Sequence, residues 1–184
     1  MSEIVINHAT VRERADLPTF LRICADRGLT TVSLWADRIA ETGECEAAAM
    51  LADLGLRVGG YNRIGPFEPG YLDQARAELD RAARLGADHV FVFTGGYADG
   101  ERDLGAARRR AEDTIGGLLA LARAAGVRLA IEPLHPMLVA DRTVISSLTH
   151  ANDLCEALGD GIGVVVDVHH VWWDERLPAE IARA

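Results

Sequence analysis

The strongest constraint on the fold is a unit that recurs along the whole chain. Five segments with helical periodicity of apolar residues each end in a glycine, and an apolar run follows each glycine. Glycine suits the position after a helix because it adopts the left-handed backbone conformation without a Cβ clash. The mean spacing of about 33 residues is the length of one strand–helix unit with short loops. The five glycines are Gly28, Gly55, Gly86, Gly126 and Gly159.

The apolar runs predict six parallel strands. Short runs without polar alternation are typical of strands that are covered on both faces. Because strand and helix patterns alternate without a linker, the sequence predicts a single α/β domain over residues 1–184. The predicted strands lie near residues 4–6, 31–34, 57–60, 89–93, 129–131 and 163–166.

A sheet of this kind can close in two ways. A doubly wound open sheet would carry a glycine-rich phosphate turn after its first strand, whereas this chain continues there with the segment Asn7-His8-Ala9-Thr10. Eight units of about 33 residues make about 264 residues, close to the ~250 typical of a (β/α)8 barrel, so this chain is two units and roughly 80 residues short of one. We therefore predict a parallel (β/α) TIM-barrel fold that contains six of the eight units.

Composition limits the partners and the compartment. The net charge is −9, and nucleic-acid affinity comes largely from Lys and Arg side chains that neutralise phosphates. No apolar run approaches the ~20 residues of a membrane span, and no secretory leader is evident. The three cysteines are far apart and form no metal-binding motif. We expect a cytoplasmic protein that binds neither nucleic acid nor membranes.

A polar or aromatic residue ends every predicted strand. Barrel enzymes carry their chemistry at the carboxyl ends of the strands, so we expect these side chains at one rim. His8, Trp35, Tyr61 and Thr94 are therefore candidates for substrate binding. The complete set is His8, Trp35, Tyr61 with Asn62, Thr94, Glu132 and Asp167.

Glu132 and Asp167 directly follow the fifth and sixth apolar runs. A carboxylate at the end of a buried strand is costly unless it is paired or bound to a metal. Adjacent barrel strands would bring the two carboxylates side by side, where a divalent cation is the simplest way to hold both ionised. The alternative is that backbone amides or an arginine neutralise each carboxylate. The pattern favours a divalent metal site with Glu132 and Asp167 as ligands.

Histidines follow both candidate ligands. His169 and His170 would point to opposite sides of an extended segment, so one of them can face the barrel mouth. The spacing Asp167-x-x-His170 favours His170. His135, three residues beyond Glu132, is a second candidate for substrate binding. The alternative for either histidine is a solvated or structural loop residue.

Two segments around these residues resemble the sugar phosphate isomerase/epimerase family, the xylose-isomerase-like barrels. They are AIEPLHP at residues 130–136 and VVDVHHVWWD at residues 165–174. The resemblance implies a divalent metal, often Mn, Mg or Co with Zn also compatible, bound by four side chains. Glu132 and Asp167 match the ligands of strands five and six, and His170 matches a histidine that contacts the substrate. The other two ligands would come from strands seven and eight, for which this chain has no predicted counterpart.

The resemblance also implies an activity: isomerisation or epimerisation of a sugar or sugar-like keto-polyol through an enediolate, with Glu132 as a catalytic acid/base. A metal-dependent dehydratase or lyase on the same barrel is the alternative closest to it. A DNA-repair endonuclease would have histidines at the ends of strands three and four, where this chain has Tyr61-Asn62 and Thr94-Gly95. The chain could also be a non-catalytic truncated fragment, whose exposed edge strands would allow a homo-oligomer.

Overall fold

The computed structural model describes residues 4–68 and 70–184. Its six strands form one sheet in chain order, and every neighbouring pair is parallel. Strands that follow one another in chain order, with helices between them, have the topology of a (β/α) barrel. The predicted fold class is therefore confirmed. The strands are β1 (Ile6–Asn7), β2 (Thr31–Trp35), β3 (Arg57–Ile64), β4 (His89–Val92), β5 (Arg128–Ile131) and β6 (Ile162–Val164).

Helices connect the strands and cover one face of the sheet. All five glycines that end the predicted helices have positive φ angles between 64° and 75°, as a left-handed position after a helix requires. No helix within the described residues is long and apolar enough to cross a membrane. The helices are α1 (Leu17–Asp26), α2 (Ala36–Thr42), α3 (Glu44–Asp53), α4 (Tyr71–Arg84), α5 (Leu104–Ala125), α6 (Leu148–Leu158), α7 (Val168–Val171) and α8 (Leu177–Arg183), with 3-10 turns at His8–Thr10 and Pro136–Leu138.

The two faces of the sheet differ in chemistry. The face toward the helices is apolar and fully buried, as at Leu34, Val90 and Ile131. The opposite, inner face is polar and aromatic. A Cβ atom added at Gly60 would contact the side chains of Ser33, His89 and Phe91, so these side chains share the inner face. Asn62 belongs there too, because its amide donates a hydrogen bond of 2.8 Å to Ser33 Oγ.

Strand β3 is longer than predicted. We expected it to end at residue 60, but it runs to Ile64. Its register with β4 shifts, since Tyr61 lies opposite Val90 while Ile64 lies opposite Val92. Two residues of β3, Asn62 and Arg63, therefore stand opposite a single residue of β4. Such a β-bulge redirects side chains and is common beside active sites.

The loop between β5 and α6 is fixed to the end of β4. The Gly95 amide donates to the Arg142 carbonyl (3.0 Å), and the Val144 amide donates to the Gly95 carbonyl (3.1 Å). The backbone at Gly96 packs against residues 140 and 141 so closely that an added Cβ atom would overlap the Ala140 carbonyl. This close packing holds the segment that follows Glu132 over the rim of the sheet.

Replacing Gly96 by alanine tests this packing. Because the new methyl group would overlap backbone atoms, Gly96→Ala should lower the free energy of unfolding by about 2–3 kcal/mol in denaturant titration. The matched control is Gly116→Ala within α5, where an added Cβ atom contacts nothing within 4 Å. That change should raise stability by up to about 1 kcal/mol, because alanine is the better helix former. Equal effects of the two changes would contradict the loop packing.

Candidate metal centre

Two adjacent parallel strands deliver two carboxyl groups to one rim. Glu132 follows β5 directly, and its amide donates to the Val92 carbonyl of the preceding strand (3.4 Å). Asp167 follows β6 and serves as the N-cap of α7, where its carboxylate accepts a hydrogen bond of 2.8 Å from the His169 amide. The turn of α7 then brings His170 back toward the two carboxyl groups.

Glu132, Asp167 and His170 form a cluster with the spacing of a metal site. One potential ligand atom from each residue lies within 4.8 Å of those of the other two, and all three side chains are half-buried. The two carboxylate oxygens suit a hard or borderline divalent cation. The donor set on this rim therefore fits the metal that the sequence predicted.

The electrostatics of the cluster also favour a cation. Burial raises the pKa of Glu132 most, and together with the charge of the neighbouring Asp167 carboxyl group and a hydrogen bond to it, brings that pKa to about 7. The charge of Arg63 acts in the opposite direction. Within the described residues, no Lys or Arg nitrogen lies within 4.0 Å of either carboxylate. The arginine half of the alternative therefore does not hold, whereas the His169 backbone amide does contact Asp167.

The environment of His170 favours the uncharged imidazole, and a hydrogen bond helps to orient its ring. Burial lowers its pKa, which leaves the imidazole uncharged near neutral pH. Its Nδ1 accepts a long hydrogen bond of 3.4 Å from the His135 amide. A neutral imidazole that accepts at Nδ1 carries its proton on Nε2, so it offers an N–H donor on the other side of the ring.

His135 lies beside the cluster and contacts His170 through its backbone amide. Its own Nδ1 accepts a hydrogen bond of 3.2 Å from the Met137 amide. Its ring stacks on Trp172 at a centroid distance of 6.4 Å and meets Trp173 edge-on at 6.1 Å. Trp172 is 68% exposed. His135 and the two tryptophans thus form an aromatic wall next to His170.

Trp35 lies at the carboxyl end of β2. Its indole N–H donates a hydrogen bond of 2.8 Å to Asn7, and the Arg12 guanidinium lies over its ring at 5.1 Å. Trp35 is half-buried and remains a candidate for the pocket wall.

Three other sequence candidates lie elsewhere. His8 is fully buried, stacks on Phe20 at 4.7 Å and bonds to the Ala15 carbonyl, so it packs under α1 and does not line the rim. Tyr61 is also fully buried but faces the helices. Its hydroxyl donates to Glu78 of α4, and burial raises its pKa.

Thr94 is a structural residue of the loop. Its hydroxyl pairs with that of Thr143 at 3.0 Å and accepts a bond of 3.1 Å from the Val144 amide. The expectation that Tyr61 and Thr94 shape the pocket is therefore corrected. Both residues end an apolar run, but the register of the strand and the long loop after β5 decide where their side chains point.

Sequence reasoning missed Arg63. This residue lies on the bulged segment of β3, and its guanidinium sits over the Phe93 ring at 5.1 Å. The signal that could have found it is a charged residue within the apolar-flanked run from residue 58 to 64.

Comparison with known proteins identifies the family. The family model described as xylose isomerase-like TIM barrel matches residues 21–184. The chain therefore belongs to this family, as the resemblance of its two motifs implied. Comparison with the curated proteins gives no match.

Three solved structures share the fold. A protein from Sinorhizobium meliloti 1021 is 42% identical, with a TM-score of 0.94 over 99% of this chain and 69% of its own. An AP endonuclease of family 2 from Brucella melitensis is 16% identical, with a TM-score of 0.80 over 100% of this chain and 75% of its own. A D-psicose 3-epimerase from Clostridium cellulolyticum H10, solved with D-tagatose, is 15% identical, with a TM-score of 0.79 over 99% of this chain and 69% of its own. This chain thus spans 69–75% of their lengths.

The raised pKa of Glu132 predicts a pH-dependent metal affinity. Below its pKa of about 7 the carboxyl group holds a proton, and a cation must displace that proton to bind. The affinity for Mg²⁺ or Mn²⁺ should fall by about tenfold for each pH unit below 7 in calorimetric titrations.

The metal-free fold should show the opposite trend. The folded state binds the Glu132 proton more tightly than the unfolded chain does, so the stability of the metal-free protein should decrease as the pH rises from 4.5 to about 7. Glu132→Gln should remove this contribution and weaken metal binding at every pH. An affinity independent of pH would contradict the cluster as a metal site.

Proposed function

We propose that this chain carries the metal site and the proton-transfer residue of a metal-dependent isomerase or epimerase that acts on a sugar or sugar-like keto-polyol. One observation carries the proposal: Glu132, whose pKa is raised to about 7, lies beside Asp167 and His170 at the carboxyl rim of the barrel. A half-buried carboxyl group at the rim where a substrate would bind suits general acid–base catalysis. Membership of the xylose isomerase-like TIM barrel family also supports this choice of chemistry.

Glu132 and Asp167 would hold the cation through their carboxylate oxygens. Mn, Mg or Co fit these donors best, and Zn fits them as well. When bound, such a cation supplies Lewis acidity that stabilises negative charge on the oxygens of a ketose.

Glu132 is the proposed acid/base residue. Its carboxylate would accept the proton from the carbon next to the substrate carbonyl, which leaves an enediolate, and would then return it. Return to the same carbon from the opposite face gives epimerisation and requires a second acid/base group. Return to the neighbouring carbon gives isomerisation. The half-buried position of Glu132 excludes part of the solvent and keeps the proton near the substrate.

His170 is the proposed substrate-binding donor. The His135 amide occupies its Nδ1, so Nε2–H can donate a hydrogen bond to a substrate oxygen. The aromatic wall of Trp172 and Trp173 next to His135 offers apolar faces on which the C–H side of a sugar can pack. Trp35 contributes a further aromatic surface at the same rim.

The activity of a complete protein is part of this proposal. The chain spans 69% of the length of its 42% identical relative, and the resemblance implies two more ligands from strands beyond the six. A dehydratase or lyase would use the same first proton abstraction and differs in the fate of the enolate. An endonuclease is disfavoured by the net charge of −9.

Deuterium exchange tests the proposed proton transfer. The Mg²⁺-loaded protein is incubated in deuterated water with D-tagatose, D-fructose and their 6-phosphates, and mass spectrometry follows incorporation next to the carbonyl. Glu132→Gln should reduce the exchange rate by about 10²–10⁴-fold, the usual contribution of a general base.

Glu46→Gln is the matched control, because it makes the same chemical change at an exposed position of the outer helix α3. It should leave the exchange rate unchanged. Exchange without a new sugar, accompanied by loss of water, would instead identify a dehydratase. A protein that binds the cation but exchanges no proton with any of the four ketoses would refute the proposal.

A further inference from the structure

Arg63, which forms no ion pair with residues 4–68 or 70–184, stands on the inner side of the sheet close to the proposed metal centre. Arg63 shares the β3 bulge with Asn62, and both stand opposite a single residue of β4. A bulge of this kind turns consecutive side chains toward the same side of a sheet. Asn62 bonds to Ser33 on the inner face, so the bulge directs Arg63 toward the interior of the barrel.

The Arg63 side chain is held by an aromatic ring. Its guanidinium carbon lies 5.1 Å from the centroid of Phe93, in the arrangement of a cation–π contact. Phe93 follows β4 directly, and its amide donates a hydrogen bond of 2.9 Å to the Ile64 carbonyl. The ring is therefore fixed relative to β3, and the exposed guanidinium has a defined position at the rim.

The charge of Arg63 reaches the metal centre without pairing with it. Arg63 interacts electrostatically with Glu132, yet no carboxylate oxygen among residues 4–68 and 70–184 lies within 4.0 Å of its nitrogens. An arginine whose role was to neutralise the two acidic ligands would contact one of them. The five N–H donors of Arg63 are instead left available to a ligand between the guanidinium and the carboxyl groups.

A second arginine lies within electrostatic range of the cluster. Arg142 interacts with His170 and has a distant ion pair of 3.9 Å with Asp141. Arg63 and Arg142 are thus two positive charges near the cluster, and each can attract an anionic group.

We infer that the substrate of this site carries an anionic group, a carboxylate or a phosphate, and that Arg63 is the residue that binds it. The planar guanidinium matches either group through two parallel hydrogen bonds. The inference rests on the proposed function, since it makes the substrate an acidic or phosphorylated sugar. The cation and the acid/base residue would act on one end of the molecule, while Arg63 would hold its charged group at the β3 side of the rim.

Three six-carbon open-chain polyols test the inference: sorbitol, gluconate and sorbitol 6-phosphate. Their binding to the Mg²⁺-loaded protein is measured by calorimetry. At least one anionic polyol should bind about tenfold or more tightly than sorbitol. Arg63→Gln should abolish that preference. Arg63→Lys should retain part of it, because lysine keeps the charge but lacks the two parallel N–H donors of the guanidinium. The preferred anion identifies the carboxylate or the phosphate as the ligand group.

Arg109→Gln is the matched control, because it removes the same charge from an exposed position on the outer helix α5. It should leave the preference for the anion unchanged. An equal loss in both variants, or a preference that survives Arg63→Gln, would overturn the inference. So would anionic polyols that bind no better than sorbitol. Mg²⁺ binding and the exchange assay with Glu132→Gln report on the proposed function separately, because both are measured with Arg63 in place.

Discussion

The repulsion between Glu132 and Asp167 is the interaction on which the site depends. Parallel pairing of β5 with β6 sets Ile131 opposite Val164, so the chain segments that leave the two strands end at the same rim. The carboxyl groups that follow are half-buried and close together, which makes the doubly ionised state unfavourable. A divalent cation between the two carboxylates attracts both of them and offsets their repulsion. The site therefore costs stability when it is empty and favours binding of a cation, an arrangement typical of functional residues.

The residues around the cluster restrict how it can move. Asp167 caps α7, so the helix that positions His170 begins at a proposed metal ligand. The His135 amide sets the tautomer of His170, and His135 belongs to the loop that Gly95 and Thr143 connect to β4. The ends of β4, β5 and β6 are thus connected by hydrogen bonds through the loop after β5. Such supporting contacts determine whether ligands keep the geometry that binding requires.

The parts of this structure that local sequence encodes were predictable, and the parts that depend on pairing between strands were not. Glycine after each helix and the alternation of apolar runs are local signals, and they predict the barrel. Glu132 and Asp167 follow from the rule that polar residues at strand ends meet at one rim. The side-chain direction of Tyr61 follows a register shift of β3 against β2, and that of Arg63 follows a shift of β3 against β4. Such bulges change which side chain faces the interior, and they depend on pairing between strands that are distant in the sequence.

The division between the two faces of the sheet also separates stability from recognition. The outer face carries the apolar core, whereas the inner face carries Ser33, Asn62, His89 and Phe91 and adds little apolar burial. Residues that do not serve the core are free to specify a ligand. The acidic pair lies at β5 and β6, and the unpaired Arg63 lies at β3, so the rim presents opposite charges at separate positions. A ligand that spans them needs electron-rich oxygens for the cation at one end and a negative group at the other, and this pairing is found in an acidic or phosphorylated ketose.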